Sequence, residues 1–424
     1  MLEVIVDAGP LERVRPLISV PLPPPAQAVL DQLLGERSVS GLTPGAVWLD
    51  DVEAPSGAIA AQLDPDHATL SFVLPGVLAP GRRRRFQIST EPGSQPPAGQ
   101  VAPFPVQLRE QLDRVVFQVG AAPWAVYNVR GSRRPYFWPL LGPDGASVVR
   151  GQGTGEHPHH TGMGLAYGGH SEGGSANIWS DWDEPPYGPG GRMLHGGFQR
   201  LGGGPVYGEL VQRLTYVDAF GEPIVEEVRT IRCWFASSEE RYLDFQFDVL
   251  TCRDRGPRPF LFMIRLPGCF DVPKTGRVTN AVGHPVPPPE RGERRYHAAW
   301  VDGSGPSGDP PPLPPTAPPE TLVDLPGAAR SRRQAAAGPW NGIAILDHPQ
   351  NAGFPNLIGN YAVTAQLTQT HYPPPAAPDG PFSFRQRVFI HAGNADVADV
   401  SARAADYAEP CTVEVRLIDE PTDR

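Results

Sequence analysis

The chain has 424 residues, a formal net charge of −10 and a pI of about 5.6. Such an acidic balance argues against a nucleic-acid-binding surface, which is normally basic. Its 40% hydrophobic content argues against a wholly disordered chain, and the 53 prolines and 47 glycines suit many strands joined by tight turns.

Nothing in the sequence predicts contact with a membrane. No segment approaches the roughly 18 uninterrupted apolar residues of a membrane span. The first residues lack the basic region followed by an apolar region that marks a secretory signal. The four cysteines form no CxxC pair. We therefore expect a cytoplasmic protein with reduced cysteines.

Residues 1–92 are predicted to form a small β-rich region with one helix. Leu2–Val6 is a short apolar strand, and the apolar residues of Ala26–Leu34 recur at helical spacing. Two more strands are expected at Ala68–Leu74 and Arg84–Ser89. Residues 93–106, rich in Pro, Gly and Ser, should link this region to the rest of the chain.

Residues 107–424 are predicted to be the main domain, with many strands and one helix. The helix is expected at Ala395–Tyr407, with Asn394 as its cap. The predicted strands are Arg114–Val119, Trp124–Val129, Val206–Val217, Ile224–Trp234, Arg241–Leu250, Pro259–Leu266, Gly342–Asp347, Ala362–Leu367, Phe382–His391 and Cys411–Ile418. Many strands at short spacing and few helices predict an all-β fold, a large antiparallel β-sandwich.

Residues 285–320 contain two runs of prolines, which cannot pair within a central sheet. We interpret the whole stretch as a long excursion over the surface, without regular structure, that lies over the site.

Three histidines fall within four positions, at His157, His159 and His160. In an extended segment His157 and His159 would point to one side, and imidazole is a common metal ligand and proton shuttle. We predict that the cluster is catalytic, with His157 and His159 as ligands if a divalent metal binds. The alternative is that these histidines cap turns. Further partners or ligands could come from Asp181, Asp183, Glu184, His195, Asp347, His348 and His371.

A second polar cluster, Asp347-His348-Pro349-Gln350-Asn351, follows an apolar strand. Polar groups at the end of a rigid strand are well placed to hold a site, so Asp347 and His348 are predicted to be catalytic and Asn351 to bind substrate. We predict that they share one open pocket with the histidine cluster. An ordinary turn stabilised by the Asp side chain explains the pattern equally well.

Aromatic residues and an arginine lie on either side of the histidines. Flat rings near carboxylates and histidines suit sugar rings, so we predict that Arg134, Tyr136, Trp138 and Trp179 bind substrate. Core packing of the rings and a surface ion pair for the arginine are the alternatives.

These residues, in order, resemble a bacterial family of unknown function that carries the old label methane oxygenase, PmoA-like. The resemblance covers roughly residues 107–394. It departs from the family pattern at Thr161 and Gly164, where the family usually has Arg and Trp. The segments that carry it are Arg134–Leu140, Gly142–Gly145, His157–His160, Trp179, Trp300–Gly305 and Gly342–Asn351.

The resemblance implies a β-sandwich similar to the supersandwich of galactose mutarotases, in which histidines and a carboxylate act on a concave sheet face. It also implies a sugar-related role. The membrane oxygenase activity of the old label does not fit a chain without a membrane span.

Three functions follow as hypotheses. The first is an enzyme that uses the histidine cluster for proton transfer on a sugar or glycoside, in epimerisation, elimination or hydrolysis, with no cofactor. The second is a metal-dependent oxygenase or hydrolase of a non-sugar metabolite. The third is a non-catalytic glycan-binding β-sandwich. A sugar-like small molecule is the expected partner.

Overall fold

The structure is a computed structural model of the 424-residue chain. It describes residues 1–35, 46–53, 57–64, 69–90, 106–153, 158–169, 174–181, 189–253, 258–271, 275–282, 294–307, 339–361, 366–374 and 380–418. His157 and the predicted linker at 93–105 lie outside these ranges.

The described chain consists mainly of β-strands. The two α-helices are α1 (Pro24–Gly35) and α2 (Val400–Ala408). The strands in chain order are β1 (Leu2–Asp7), β2 (Arg13–Val14), β3 (Leu17–Pro21), β4 (Ala46–Asp51), β5 (Ala58–Asp64), β6 (Thr69–Val73), β7 (Val77–Leu78), β8 (Arg83–Ser89), β9 (Val106–Gln111), β10 (Arg114–Val119), β11 (Ala122–Asn128), β12 (Tyr136–Leu140), β13 (Met163–Tyr167), β14 (Arg192–Gly202), β15 (Tyr207–Val217), β16 (Pro223–Phe235), β17 (Glu240–Cys252), β18 (Phe260–Arg265), β19 (Arg277–Asn280), β20 (Arg294–His297), β21 (Trp300–Pro306), β22 (Trp340–Asp347), β23 (Leu357–Tyr361), β24 (Gln366–His371), β25 (Phe382–Ala392) and β26 (Thr412–Leu417).

Two large antiparallel sheets form the main sandwich. The nine-stranded sheet has the order β20-β23-β24-β18-β13-β12-β11-β10-β9, and the eight-stranded sheet has the order β14-β15-β16-β17-β25-β22-β21-β19. One continuous apolar core is built from both sheets. With 57% of the described residues in strands, the predicted all-β sandwich is confirmed.

The strands form where the sequence alternates as a half-buried sheet requires. In β17, the side chains of Leu243, Phe245, Phe247 and Val249 enter the core, while the residues between them point away from it. By contrast, β18 is buried at every position, as its unbroken apolar run predicts. One face of β18 lies in the core, and the other face is buried on the outer side of the sheet.

The N-terminal region forms a seven-stranded sheet of its own, in the order β26-β1-β8-β4-β5-β6-β3. It has a separate apolar core. The last strand, β26, pairs with β1 along its whole length, from Leu2 opposite Leu417 to Asp7 opposite Thr412. The predicted domain division, with residues 107–424 in the main domain, therefore differs from the structure at its C-terminal end. Apolar pattern alone does not say which sheet an isolated strand joins.

Residues 285–320 were predicted to lack regular structure, and this prediction was wrong for the middle of the stretch, which contains β20 and β21. Here β20 pairs with β23, and β21 lies inside the eight-stranded sheet between β19 and β22. The prolines lie before and after this part, and between Arg294 and Gly305 there is none. The proline runs themselves fall outside the described residues.

The last helix is shorter than predicted. It begins after Asp399, whose carboxylate accepts a hydrogen bond from the amide of Ala402. Asn394, the predicted cap, instead accepts hydrogen bonds from the amides of Asp396 and Val397 in the preceding turn. Within the described part of the chain, neither helix has the length and hydrophobicity needed to cross a membrane.

Candidate functional site

The candidate site lies on the outer face of the nine-stranded sheet, the face that points away from the sandwich core. In β13, Met163, Leu165 and Tyr167 point into the core, so Gly164 and Ala166 point outward. Residues directly opposite each other in paired strands share a face. Leu261 and Met263 of β18 are therefore on the outer face with Ala166, and the three pack together with Trp179.

Two of the three predicted histidines lie over this face. The rings of His159 and His160 are perpendicular, with centroids 4.1 Å apart. The ring of His160 also packs edge-to-face on Trp179 at 4.6 Å. Both histidines are buried. The aromatic contacts hold the two imidazoles side by side in a fixed geometry, as acid–base chemistry requires.

A buried ion pair adjoins the histidines. Arg134 Nε lies 3.5 Å from Asp181 Oδ1, and both side chains are 1% exposed. The hydroxyl of Ser132 donates to the same oxygen at 2.8 Å. The backbone amide of Asp181 donates to the carbonyl of His159 at 2.8 Å, which joins the pair to the histidines.

Small residues make room for these side chains. A Cβ at Gly164 would lie 3.0 Å from Nη1 of Arg134, so the guanidinium packs directly over this glycine. Burial lowers the pKa of Arg134, and the adjacent Asp181 opposes that change.

Asn177 accepts from the amide of Trp179 at 2.9 Å and donates to the carbonyl of Gly169 at 3.0 Å. These bonds fix the loop that carries Trp179 and Asp181.

Several buried polar atoms of this cluster have no hydrogen-bond partner within the described part of the protein. They are Arg134 Nη1, Asp181 Oδ2, Trp179 Nε1 and Thr161 Oγ1. Buried polar atoms are nearly always paired, and leaving one unpaired costs about 1–3 kcal/mol. Two donors, one acceptor and one hydroxyl are therefore available to a polar ligand beside the Trp179 ring.

The same sheet face continues on both sides of the cluster. Tyr136 points outward from β12, because the next residue, Phe137, is in the core, whereas Trp138 packs against that core. On the other side, Arg265 of β18 and three residues of β24 are buried and polar. The three are Gln366, Thr368 and Thr370. Three predicted site residues, Arg134, Tyr136 and Trp179, thus lie on the face that carries His159 and His160, and Trp138 packs against the core instead.

His157 is outside the described residues, as are Asp183 and Glu184. In the ranges that the structure describes, no three or more His, Cys, Asp or Glu side chains are placed to bind one metal ion. The predicted metal pair of His157 and His159 stays a prediction.

The predicted partners Asp347 and His348 lie at the end of β22, in the other sheet. The Asp347 carboxylate accepts from the amides of Asn356 and His348 at 2.7 and 3.0 Å, and from the Asn351 side chain at 2.8 Å. Asn351 also exchanges hydrogen bonds with the backbone of Arg385. Every hydrogen bond described for the Asp347 carboxylate comes from His348, Asn351 or Asn356, further along the same stretch of chain.

His348 and Asn351 take part in that turn and not in the outer face of the other sheet. The His348 ring packs on Tyr407 of α2 at 4.9 Å, and burial lowers its pKa to about 4. Burial also raises the pKa of Asp347, against the hydrogen bonds from Asn356 and Asn351. The turn interpretation therefore describes this cluster, and the contacts give no support to the predicted shared pocket.

The carboxylate next to the histidines is instead Asp181. Asp181 was predicted only as one of several further partners. Ser132, Asn177, Gln366, Thr368 and Thr370 were not predicted as site residues. A usable signal was the Trp179-Ser180-Asp181 run, in which two polar residues follow an aromatic residue.

Comparisons with known proteins give a family but no activity. A family model described as "Family of unknown function (DUF6807)" matches residues 114–405. No curated protein matches the chain.

Two solved structures from Enterococcus faecalis are similar to the chain, each with 9% sequence identity and a TM-score of 0.42. One is an alpha-mannosidase and the other a protein in glycosyl hydrolase family 38. Each alignment covers 99% of this chain, which spans 46% and 48% of those proteins.

Proposed function

Because the chain belongs to the DUF6807 family, whose function is unknown, we propose its activity from the chemistry of the outer sheet face. The protein acts on a sugar or glycoside by proton transfer. His159 and His160 are the acid–base pair, and Arg134, Asp181 and Trp179 bind the sugar. The observation that carries this proposal is the set of buried, unpartnered polar atoms beside two packed imidazoles.

The polar atoms suit adjacent hydroxyl groups. A hydroxyl can donate to Asp181 Oδ2, and its neighbour can accept from Arg134 Nη1, since a carboxylate only accepts and a guanidinium only donates. Trp179 adds a donor at Nε1 and a flat apolar face for the C–H side of a sugar ring. A phosphate or carboxylate group would be repelled by Asp181, so a neutral polyol fits best.

The histidine pair supplies the proton transfer. An imidazole changes charge near neutral pH and can accept or donate a proton within hydrogen-bond reach. Holding His160 against Trp179 places an imidazole edge beside the sugar-binding groups. Positioned acid–base groups typically contribute about 10²–10⁴-fold to a rate.

The test is turnover of neutral sugars and aryl glycosides by the purified full-length protein. Exchange of a sugar C–H for deuterium in D₂O, followed by NMR, reports epimerisation or elimination. Release of the aryl group, also followed by NMR, reports hydrolysis. His160→Ala and His159→Ala should each lower turnover by about 100-fold or more. Exposed His297, at the edge strand of the same sheet, supplies the matched control His297→Ala.

Other outcomes separate the alternatives. Turnover that a chelator abolishes and a divalent metal restores would indicate the metal-dependent enzyme. Sugar binding that survives both histidine substitutions, without turnover, would indicate a glycan-binding module. If no neutral sugar binds or reacts, the proposed function is wrong.

A further inference from the structure

A second group of buried polar side chains lies inside the sandwich, between the two sheets. Gln369 and His371 of β24 face the core, because the residues opposite them in β18, Phe262 and Phe260, are core residues. Gln386 faces the same interior from β25 in the other sheet. This group is on the inner face of the nine-stranded sheet, whereas the histidine pair is on the outer face.

The three side chains are 0–2% exposed, yet among the described residues their polar atoms have no hydrogen-bond partner of normal geometry. These atoms are both nitrogens of His371 and both amide atoms of Gln369 and Gln386. The Gln386 amide lies near enough to His371 to influence its pKa, but no hydrogen bond of normal geometry joins them. An orphaned buried polar atom costs about 1–3 kcal/mol, and six of them on facing side chains are a large local cost.

Unpartnered buried polar atoms occur in natural proteins mainly at functional sites, where they can bind a ligand. The group lies near a rim of the sandwich. His371 is the last residue of β24, and its ring stacks on Phe384, close to the start of β25, with centroids 4.4 Å apart. The group therefore lies near one end of the sandwich.

The chemistry of the group selects an uncharged ligand. Each glutamine amide offers a donor beside an acceptor. Burial lowers the pKa of His371 to about 3, so its ring is neutral at physiological pH. Asp347, directly opposite Gln386 in β22, is already hydrogen-bonded by its own turn. A charged ligand would find no counter-charge on these three side chains and would lose its hydration.

We propose that Gln369, His371 and Gln386 form a second binding site, between the sheets, for a small neutral molecule with a donor beside an acceptor, such as a carboxamide. The planar donor–acceptor edge of a carboxamide can pair with a glutamine amide while its body contacts the neighbouring phenylalanine rings. This site is independent of the outer face and of the function proposed for it.

Acetamide tests the proposal, with acetate as a charged control of nearly the same size and shape. Saturation-transfer NMR on the full-length protein should show binding of acetamide and not of acetate. Gln386→Leu and Gln369→Leu should each weaken acetamide binding by about tenfold or more. Gln32→Leu, at an exposed position of α1, should leave it unchanged.

Three results would overturn the proposal. They are no acetamide signal, an equal signal from acetate, and binding that both glutamine variants retain. A high-resolution crystal structure in acetamide that shows only water between the three side chains would also overturn it. If one glutamine variant does not fold, the other decides.

Discussion

Replacing Asp347 by alanine should destabilise the protein without affecting the outer-face site. The residue is buried, and its carboxylate accepts hydrogen bonds from the backbone of His348 and Asn356 and from the side chains of Asn351 and Asn356. It closes the turn that follows β22, so its removal acts on folding.

The magnitude follows from the donors that lose their acceptor. Asn351 keeps a second acceptor, the carbonyl of Arg385 at 2.6 Å. The backbone amides of His348 and Asn356 and the Asn356 side chain lose theirs. At about 1–3 kcal/mol for each buried donor, the full cost would exceed 3 kcal/mol. Water can reach the exposed part of the turn, so we expect a loss of about 3 kcal/mol.

Urea denaturation at neutral pH measures this loss as a lower midpoint at unchanged slope. The matched control is Asp396→Ala. That aspartate is 68% exposed, in a surface ion pair with Arg277, and such pairs contribute about 0–1 kcal/mol. A loss below about 1 kcal/mol for Asp347→Ala would refute the reasoning. So would lost sugar turnover at full stability, which would return Asp347 to the active site.

Three further substitutions test buried positions in the two sheets of the sandwich. Because burial lowers the pKa of His371 from its ordinary value of 6.5 to about 3, the unfolded chain binds this proton more tightly than the folded protein. The free energy of unfolding should therefore fall as the pH drops from 6.5 toward 3, and His371→Leu should weaken the pH dependence of the melting temperature in that window. Arg229→Met should cost about 3–5 kcal/mol in urea, since it leaves Glu227 charged and buried, and adding Glu227→Gln should recover part of the loss. Gly342→Ala should cost about 1–3 kcal/mol and lower the melting temperature, because the new Cβ would lie 2.1 Å from Cε1 of His391. A melting temperature of the wild type that does not change between pH 6.5 and 3 would contradict the first prediction. Unchanged stability of Arg229→Met or Gly342→Ala would contradict the other two.

The fold was predictable where local pattern and tertiary environment agree. Strands with regular alternation, such as β17, or with an unbroken apolar run, such as β18, were predicted within two residues at each end. Strand β21, with the sequence Trp-Val-Asp-Gly-Ser-Gly-Pro, was not predicted. Its glycines and polar residues give no strand signal, and its conformation depends on pairing with β19 and β22 on both sides. That information is not local.

The sequence predicted which residue types could belong to a site better than it predicted which of them lie together on one sheet face. The sequence singled out the histidines, Arg134 and Trp179 by residue type. Their proximity depends on β13, where Gly164 and Ala166 provide a surface with almost no side chains. A glycine and an alanine in a short apolar strand do not reveal that an arginine and a tryptophan from two separate loops pack over them.

Asp181 and Asp347 show why a carboxylate next to a structured segment does not by itself mark a site. Both are buried, and both follow a strand or an aromatic residue. They differ in what their oxygens bind. Asp347 is saturated by amides at its own turn and at position 356, within nine positions of itself in the chain. Asp181 shares one oxygen between Ser132 and Arg134, and its other oxygen has no hydrogen-bond partner among the described residues. A carboxylate saturated by its own turn supports the fold, whereas one with an unused oxygen beside a histidine pair is available to a ligand.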